Sequence, residues 1–173
     1  MATVPARSTD RGPGRISIIM PAYNAAATLA LAVESLLGQT WDDIELIVVD
    51  DCSTDDTFEI AQRYAAKDSR ILAVRHRQNM GAYAARNSGA RLSKGDFITV
   101  HDCDDWSHPQ KLETQMAPLL NNSQTLGSVS YWVKADWDMH IAGSWRPWGN
   151  LIELNHSAFL FRRSLLNSIG EWD

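Results

Sequence analysis

Two acid clusters stand where apolar runs end: residues 44–51 read IELIVVDD and residues 97–105 read FITVHDCDD. Carboxylates gathered in one pocket repel one another unless a positive group joins them, and a hard divalent cation carrying a nucleoside diphosphate supplies that charge. Such an ion, Mg²⁺ or Mn²⁺, prefers oxygen ligands and is commonly held by one or two carboxylates together with phosphate oxygens and water. The residue types therefore point to nucleotide-sugar chemistry. They carry the expectation that Asp51, Asp102 and Asp104 line one cavity.

Acids can meet in this way only if strands deliver them to a common rim. A β-branched run that breaks into carboxylates reads as a buried parallel strand, because such sheets bind ligands beyond their carboxyl ends. Residues 16–22 are a short β-branched run closed by Pro21, and residues 28–37 then space Leu29, Val33, Leu36 and Leu37 along one helical face, with Gly38 as a stop. Residues 45–50 give the second strand, and Ser53 with Asp56 three positions on reads as a capping box for a helix over 54–66. Residues 71–76 alternate as a strand near an edge does, Gly81 precedes an Ala-rich helix over 82–92, and residues 97–100 form a fourth strand. Pro109 opens a fourth helix with Leu112, Met116 and Leu119 on one face. Four strands alternating with four helices predict an α/β fold with a mostly parallel sheet and helices on both faces, in the doubly wound order 3-2-1-4. Beyond Leu120, residues 128–137 and 157–161 read as further strands on either side of a Trp-rich stretch.

Composition bounds the alternatives. The chain has 173 residues, 45% hydrophobic and 21% charged, the profile of one globular domain rather than of a disordered or fibrous chain. Its net charge of −5 argues against a nucleic-acid partner, which calls for a basic face. No apolar stretch approaches the roughly 20 residues that span a bilayer, and residues 1–15 hold no apolar core between their arginines, so neither a span nor a signal peptide is expected and the cytoplasm is the expected compartment. Cys52 and Cys103 follow strands 2 and 4, which flank strand 1 at about 9 to 10 Å from each other. A disulfide needs Cα atoms within about 7 Å, so both are predicted to be free thiols.

Five segments in order, residues 18–24 (IIMPAYN), 47–57 (IVVDDCSTDDT), 79–89 (NMGAYAARNSG), 95–105 (GDFITVHDCDD) and 157–173 (SAFLFRRSLLNSIGEWD), resemble family 2 glycosyltransferases of the GT-A fold. The resemblance runs from Ile16 to the last residue. It implies a flexible lead over 1–15 and a GT-A domain over 16–173, divided into a nucleotide-sugar-binding half at 16–120 and the start of an acceptor half at 121–173. By position it places Pro21, Ala22, Tyr23 and Asn24 against base and ribose, and Asp51 on a base N–H with Asp50 nearby. Gly81, Arg86 and Asn87 fall beside the diphosphate or ribose. The Asp-x-Asp motif, Asp102-Cys103-Asp104, falls on the metal site, with Asp102 on the ribose and Asp104, assisted by Asp102, on a divalent ion, Mn²⁺ or Mg²⁺. The implied reaction is transfer from a nucleotide sugar, UDP-sugar favoured over dTDP and GDP sugars, with inversion. The acceptor is a saccharide such as a growing surface polysaccharide, a lipid-linked sugar or a protein.

Blander readings stand beside these. Asp56 serves equally as a helix cap, Arg86 as a solvated charge, and Asp105 as a support for its neighbours. His101 and His108 flank the acids, but sites for hard ions seldom use imidazole. His156, Trp145 and Trp148 fall on the acceptor side, where aromatic faces would stack on sugar; a buried or subunit-facing Trp cluster, as in a homodimer, is the alternative. In the family an acidic base follows the segment that ends here at Asp173, so the base is expected to lie outside this sequence, with Asp136, Asp138 and Glu153 as poor substitutes. A nucleotide-sugar-binding module without turnover is the second reading. A sugar nucleotidyltransferase would need a Gly-rich basic loop after strand 1, where this chain has Met20-Pro21-Ala22-Tyr23-Asn24.

Overall fold

The computed structural model describes residues 14–133, 136, 140 and 156–173. Strand β1 (Ile16–Ala22) is buried along its whole length and forms the centre of the parallel part of the sheet. It pairs in parallel with β2 (Ile44–Asp50) on one side and with β4 (Phe97–Val100) on the other, and β3 (Ile71–Arg75) adds in parallel outside β2. The expected order 3-2-1-4 is thus present, within a six-stranded sheet of order β3-β2-β1-β4-β6-β5. The last two strands, β5 (Gly127–Val129) and β6 (Phe159–Arg162), are antiparallel, with β6 inserted between β4 and β5.

Strand alternation divides the core. Ile16, Ile18 and Met20 of β1 with Leu46 and Val48 of β2 face helices α1 (Leu29–Leu37), α2 (Thr57–Lys67) and α4 (Lys111–Asn121). Ile47 and Val49 take the other face and pack with Ala85 of α3 (Ala82–Leu92). That helix lies close on the sheet because its inner side is small: a Cβ on Gly89 would stand 2.5 Å from Ile19 Cγ2. The closing elements are a 3-10 turn at His156–Ala158 and α5 (Ser164–Ile169). Among the described residues no helix is long and apolar enough to cross a membrane. Both cysteines are free.

Three expectations need correction. Helix α2 starts at Thr57 rather than at 54, without the expected capping box: Asp55 accepts the Thr57 N–H at 3.1 Å, while Ser53 Oγ accepts the Asn24 N–H at 2.9 Å. Ser53 is thus drawn away by a loop that sequence spacing could not reveal. The fifth strand is shorter than residues 128–137, its described part ending at Val129. The sixth begins at Phe159 because residues 156–158 form the 3-10 turn first.

The turn after β2 holds a strained residue. Cys52 adopts φ 62°, a left-handed conformation that costs a non-glycine residue about 1–2 kcal/mol. Its Sγ contributes only a long contact to the Arg77 carbonyl at 3.7 Å. Cys52→Gly relieves the strain against a smaller entropic cost of about 0.5–1 kcal/mol in the unfolded chain. A gain of roughly 0.5 kcal/mol by urea unfolding is expected; a clear loss would contradict the strain.

Candidate functional site

Register brings the strand ends together. Ala22 pairs with Asp50, and Val100 sits opposite Ile19. Beyond those pairs the backbone continues the ladder: the Asp51 N–H donates to Ala22 O at 2.8 Å, the His76 N–H to Asp50 O at 2.9 Å and the His101 N–H to Ile19 O at 2.9 Å. Residues 22–24, 51–53, 76 and 101–105 therefore occupy one rim, the carboxyl ends of four parallel strands, where open α/β sheets bind ligands.

At that rim Pro21 and Ala22 are buried as the last residues of β1, Tyr23 is half-exposed, and Asn24 takes φ 50°. The Asn24 side-chain oxygen accepts the Thr54 N–H at 2.9 Å, which ties the first loop to the second. The Tyr23 N–H donates to the Cys103 sulfur, tying the first loop also to the Asp-x-Asp motif. Burial, with the Asp104 and Asp102 charges behind it, pushes the Cys103 thiol up to about 11, so it is protonated at neutral pH.

The two acids after β2 have different surroundings. Asp50 is fully buried; its Oδ2 accepts the Ser53 N–H at 3.2 Å and pairs with Arg75 Nε at 3.1 Å. Asp50 thus lies inside the fold, bracing the loop. Asp51 accepts from His76 Nδ1 at 2.7 Å, from the Met80 N–H at 2.9 Å and from the Gly81 N–H at 2.7 Å. It holds the loop leading into α3, and Gly81 meets it with φ 88°, a conformation that favours glycine.

Helix α3 supplies the cation. Arg86 is 6% exposed, donates from Nη2 to Asp102 Oδ1 at 3.2 Å, and lies over the Tyr83 ring at 5.4 Å. Asn87, its neighbour, exchanges two hydrogen bonds with the Trp172 backbone, at 2.8 Å to the carbonyl and 2.9 Å from the N–H. Arg86 also lines an open cavity of about 800 Å³, walled by Val100, Phe159, Phe161 and Trp172. That cavity is mainly apolar and touches none of Asp51, Asp102 or Asp104, so the polar rim and this hollow adjoin at Arg86 without coinciding.

The acids after β4 are graded by exposure. Asp102 is partly buried against Arg86, whereas Asp104 is exposed and forms no hydrogen bond or ion pair with another described residue. Asp105 accepts from Ser157 Oγ at 3.1 Å and from the Trp132 indole; burial, then repulsion from Asp102 and Asp104, raises it above the usual carboxylate range. Lys111 donates to the Ser157 carbonyl at 3.2 Å, and burial pulls its ammonium down to about 8 against the attraction of Asp105 and Asp102. Among the described residues no three His, Cys, Asp or Glu side chains converge to hold a metal ion by themselves. An oxygen-only pair of which Asp104 is unengaged nonetheless suits Mg²⁺ or Mn²⁺, whose remaining ligands come from substrate phosphate and water.

His101 belongs to the framework. It is buried, with Nδ1 donating to the Asp102 carbonyl at 2.9 Å and Nε2 accepting from Ser107 Oγ at 2.9 Å. Burial, then the Lys111 charge, pushes its pKa from 6.5 down to about 3. The unfolded chain takes a proton near 6.5 and the folded one only near 3, so this stabilisation is complete above pH 6.5 and is lost as pH falls toward 3. Over that window the slope reaches up to about 1.4 kcal/mol per pH unit. His101→Asn is expected to flatten the acid limb of the thermal-midpoint profile in scanning calorimetry; an unchanged limb would show that carboxylates alone produce it.

Trp145 and Trp148 lie outside the described residues, as do Asp138 and Glu153. The backbone of His156 opens the 3-10 turn, but its side chain also lies outside the description. Asp136 accepts from His140 Nδ1 at 3.3 Å on an exposed stretch. Sequence reasoning missed His76, Lys111 and Ser157. His76 had a usable signal, since it directly follows a strand ending at the same rim as Asp51. Lys111 and Ser157 had none, since only folding brings them to Asp105.

Comparison with known proteins matches these features. A curated Escherichia coli protein, UDP-Glc:alpha-D-GlcNAc-diphosphoundecaprenol beta-1,3-glucosyltransferase WfaP, is 34% identical over 145 residues, covering 84% of this chain and 55% of its own length. An uncharacterized glycosyltransferase of Haemophilus influenzae is 41% identical over 116 residues, 67% of this chain and 46% of that protein. The chain thus spans about half the length of these relatives. Among solved structures, a mannosyltransferase of Pyrobaculum calidifontis in complex with GDP-Man and Mn²⁺ aligns with 94% of this chain and 48% of its own, at TM-score 0.73 and 22% identity. TarS 1-349 of S. aureus in complex with UDP aligns with 90% of this chain and 48% of its own, at TM-score 0.69 and 23% identity, and these two likenesses show the fold. The profile of glycosyl transferase family 2 matches residues 17–158, most of the chain, and the chain belongs to that family.

Proposed function

We propose that this domain transfers a glycosyl group from a nucleoside-diphosphate sugar, UDP-sugar by preference, to an acceptor hydroxyl with inversion, assisted by Mn²⁺ or Mg²⁺. The observation that carries the reading is Asp104: an exposed carboxylate beside Asp102 that no other described residue engages, on the rim where the parallel strands end. A divalent ion held there supplies charge neutralisation on the departing nucleoside diphosphate.

The other steps fall on the chain's own groups. Asp51 takes a base N–H, a charge-assisted contact, and Tyr23 and Asn24 flank the base and ribose. Asp50 contributes through the loop it braces. Gly81 leaves the backbone open at the start of α3, with Asn87 fixed on the same helix. Arg86, already held by Asp102, adds positive charge toward the phosphates. Cys103 stays a neutral thiol in the wall between Asp102 and Asp104. The acceptor hydroxyl approaches from the side opposite the nucleotide, and no described residue is assigned as its base. The donor and acceptor named for WfaP make UDP-glucose and a lipid diphosphate-linked sugar the first pair to assay.

Calorimetry with UDP, with and without Mn²⁺, tests the reading: binding at least about tenfold tighter with the ion is expected, about 1.4 kcal/mol. Absence of UDP binding in both conditions removes it. Metal-dependent UDP binding with no transfer from UDP-sugar to any acceptor would favour a binding module instead.

A further inference from the structure

A chain of side chains reaches Asp51 from the far side of α3. Arg91 Nη1 pairs with Glu171 Oε1 at 2.7 Å, and Arg91 Nη2 donates to Ser88 Oγ at 3.3 Å. The Ser88 hydroxyl lies 2.9 Å from His76 Nε2, and since a carboxylate at Asp51 can only accept, the tautomer with its proton on Nδ1 leaves Nε2 to accept from Ser88. A neutral imidazole that accepts at Nε2 carries its own proton on Nδ1, which donates to Asp51 Oδ1 at 2.7 Å. Asp51 takes two further donors, the Met80 N–H at 2.9 Å and the Gly81 N–H at 2.7 Å. An ionised carboxylate has about four acceptor sites, so three donors leave it one. The side chains of His76 and Asp51 are 12% and 4% exposed, so water competes little for these bonds.

We propose that His76, oriented by Ser88, is a positioning residue that sets nucleobase specificity, by presenting Asp51 as a single fixed acceptor for a ring N–H. The proposal rests on the reading above that Asp51 meets the base. Uracil offers N3–H to such an acceptor, whereas cytosine presents a lone pair at the same atom, which a carboxylate repels. Loss of the His76 donor frees a second acceptor site and lets the carboxylate turn within its loop, so discrimination relaxes. Pyrophosphate, which has no base, is indifferent to this arrangement.

The test is binding of UDP, CDP and inorganic pyrophosphate, each with Mn²⁺, to the parent, His76→Leu, His76→Asn and Ser88→Ala. The parent is expected to prefer UDP over CDP. His76→Leu lowers UDP affinity about tenfold and compresses the UDP to CDP ratio by a similar factor, leaving pyrophosphate unchanged. His76→Asn, whose amide can still donate, restores most of the ratio, and Ser88→Ala reduces it about threefold without moving the thermal midpoint. Equal loss for all three ligands, or an unchanged ratio in both His76→Leu and Ser88→Ala, overturns the proposal. A parent that does not distinguish UDP from CDP overturns the base reading itself, on the unaltered protein. If His76→Leu does not fold, Ser88→Ala decides.

Discussion

Asp104→Ala is expected to lose the Mn²⁺-dependent part of UDP binding, with an affinity in Mn²⁺ that falls by on the order of 100-fold, about 2.7 kcal/mol, to the metal-free level. The argument combines charge with freedom. Asp104 is exposed and engaged by no described residue, so its replacement removes a ligand without orphaning a donor. Stability is therefore expected to stay within about 0.5 kcal/mol of the parent, as for other surface substitutions. Asp102 is no equivalent target, because its loss also removes an ion-pair partner of a nearly buried arginine. Asp104→Asn, which keeps an oxygen without the charge, should fall between the two. Titrations of UDP at several Mn²⁺ concentrations would check this, and an Asp104→Ala protein that still gains affinity from Mn²⁺ would place the ion elsewhere.

Gly95→Ala should have the largest effect on stability. A Cβ there would stand 2.5 Å from the Arg15 carbonyl oxygen, 2.7 Å from Ser17 Oγ and 2.8 Å from the Ser17 nitrogen. None of these atoms can yield cheaply. The Arg15 carbonyl accepts the Phe97 N–H at 3.1 Å, and Ser17 Oγ accepts the Gly95 N–H at 2.8 Å while donating to Glu45 Oε1 at 2.6 Å. Arg163 fixes the other side by donating from Nε to the Gly95 carbonyl at 2.6 Å. Overpacking of a fixed site costs about 1–3 kcal/mol and occasionally more; with backbone on two sides, about 3 kcal/mol is expected. For a chain of this size that lowers the thermal midpoint by roughly 6–12 °C. Gly81→Ala is the useful contrast: nothing lies within 4 Å of its added Cβ, so only the strain of φ 88° applies, about 1–2 kcal/mol. If the two variants melt together, crowding at Gly95 is not the controlling factor.

The parallel part of the sheet was legible because its signals are local. A β-branched run closed by Pro21 gave β1 its observed bounds, one ending in acids gave β4 its own, and the small residues of α3 gave its limits at Ala82 and Leu92. Capping failed as a guide at Ser53, whose hydroxyl could serve the helix just after it or a loop 29 residues earlier, and the fold chose the loop. The part beyond Leu120 was hard for a related reason: β5 owes its existence to pairing with β6 across 30 or more residues, and a three-residue strand carries no period to read. In the site, residue types identified the acids, but their division of labour came from burial. Asp50 and Asp51 are adjacent letters, yet one is sealed under Arg75 and the other steadies the entrance to α3.

The insertion of β6 between β4 and β5 has a consequence for a nascent chain. When Val100 leaves the ribosome, β4 can join β1 at once, but its other edge has no partner until Phe159 follows. At about 5–20 residues per second that interval lasts roughly 3 to 12 s, during which an apolar strand edge is open to other chains. Binding by a holdase, or loss to inclusion bodies, should therefore be decided in that window, and slower translation of residues 101–158 should lower the yield of folded protein.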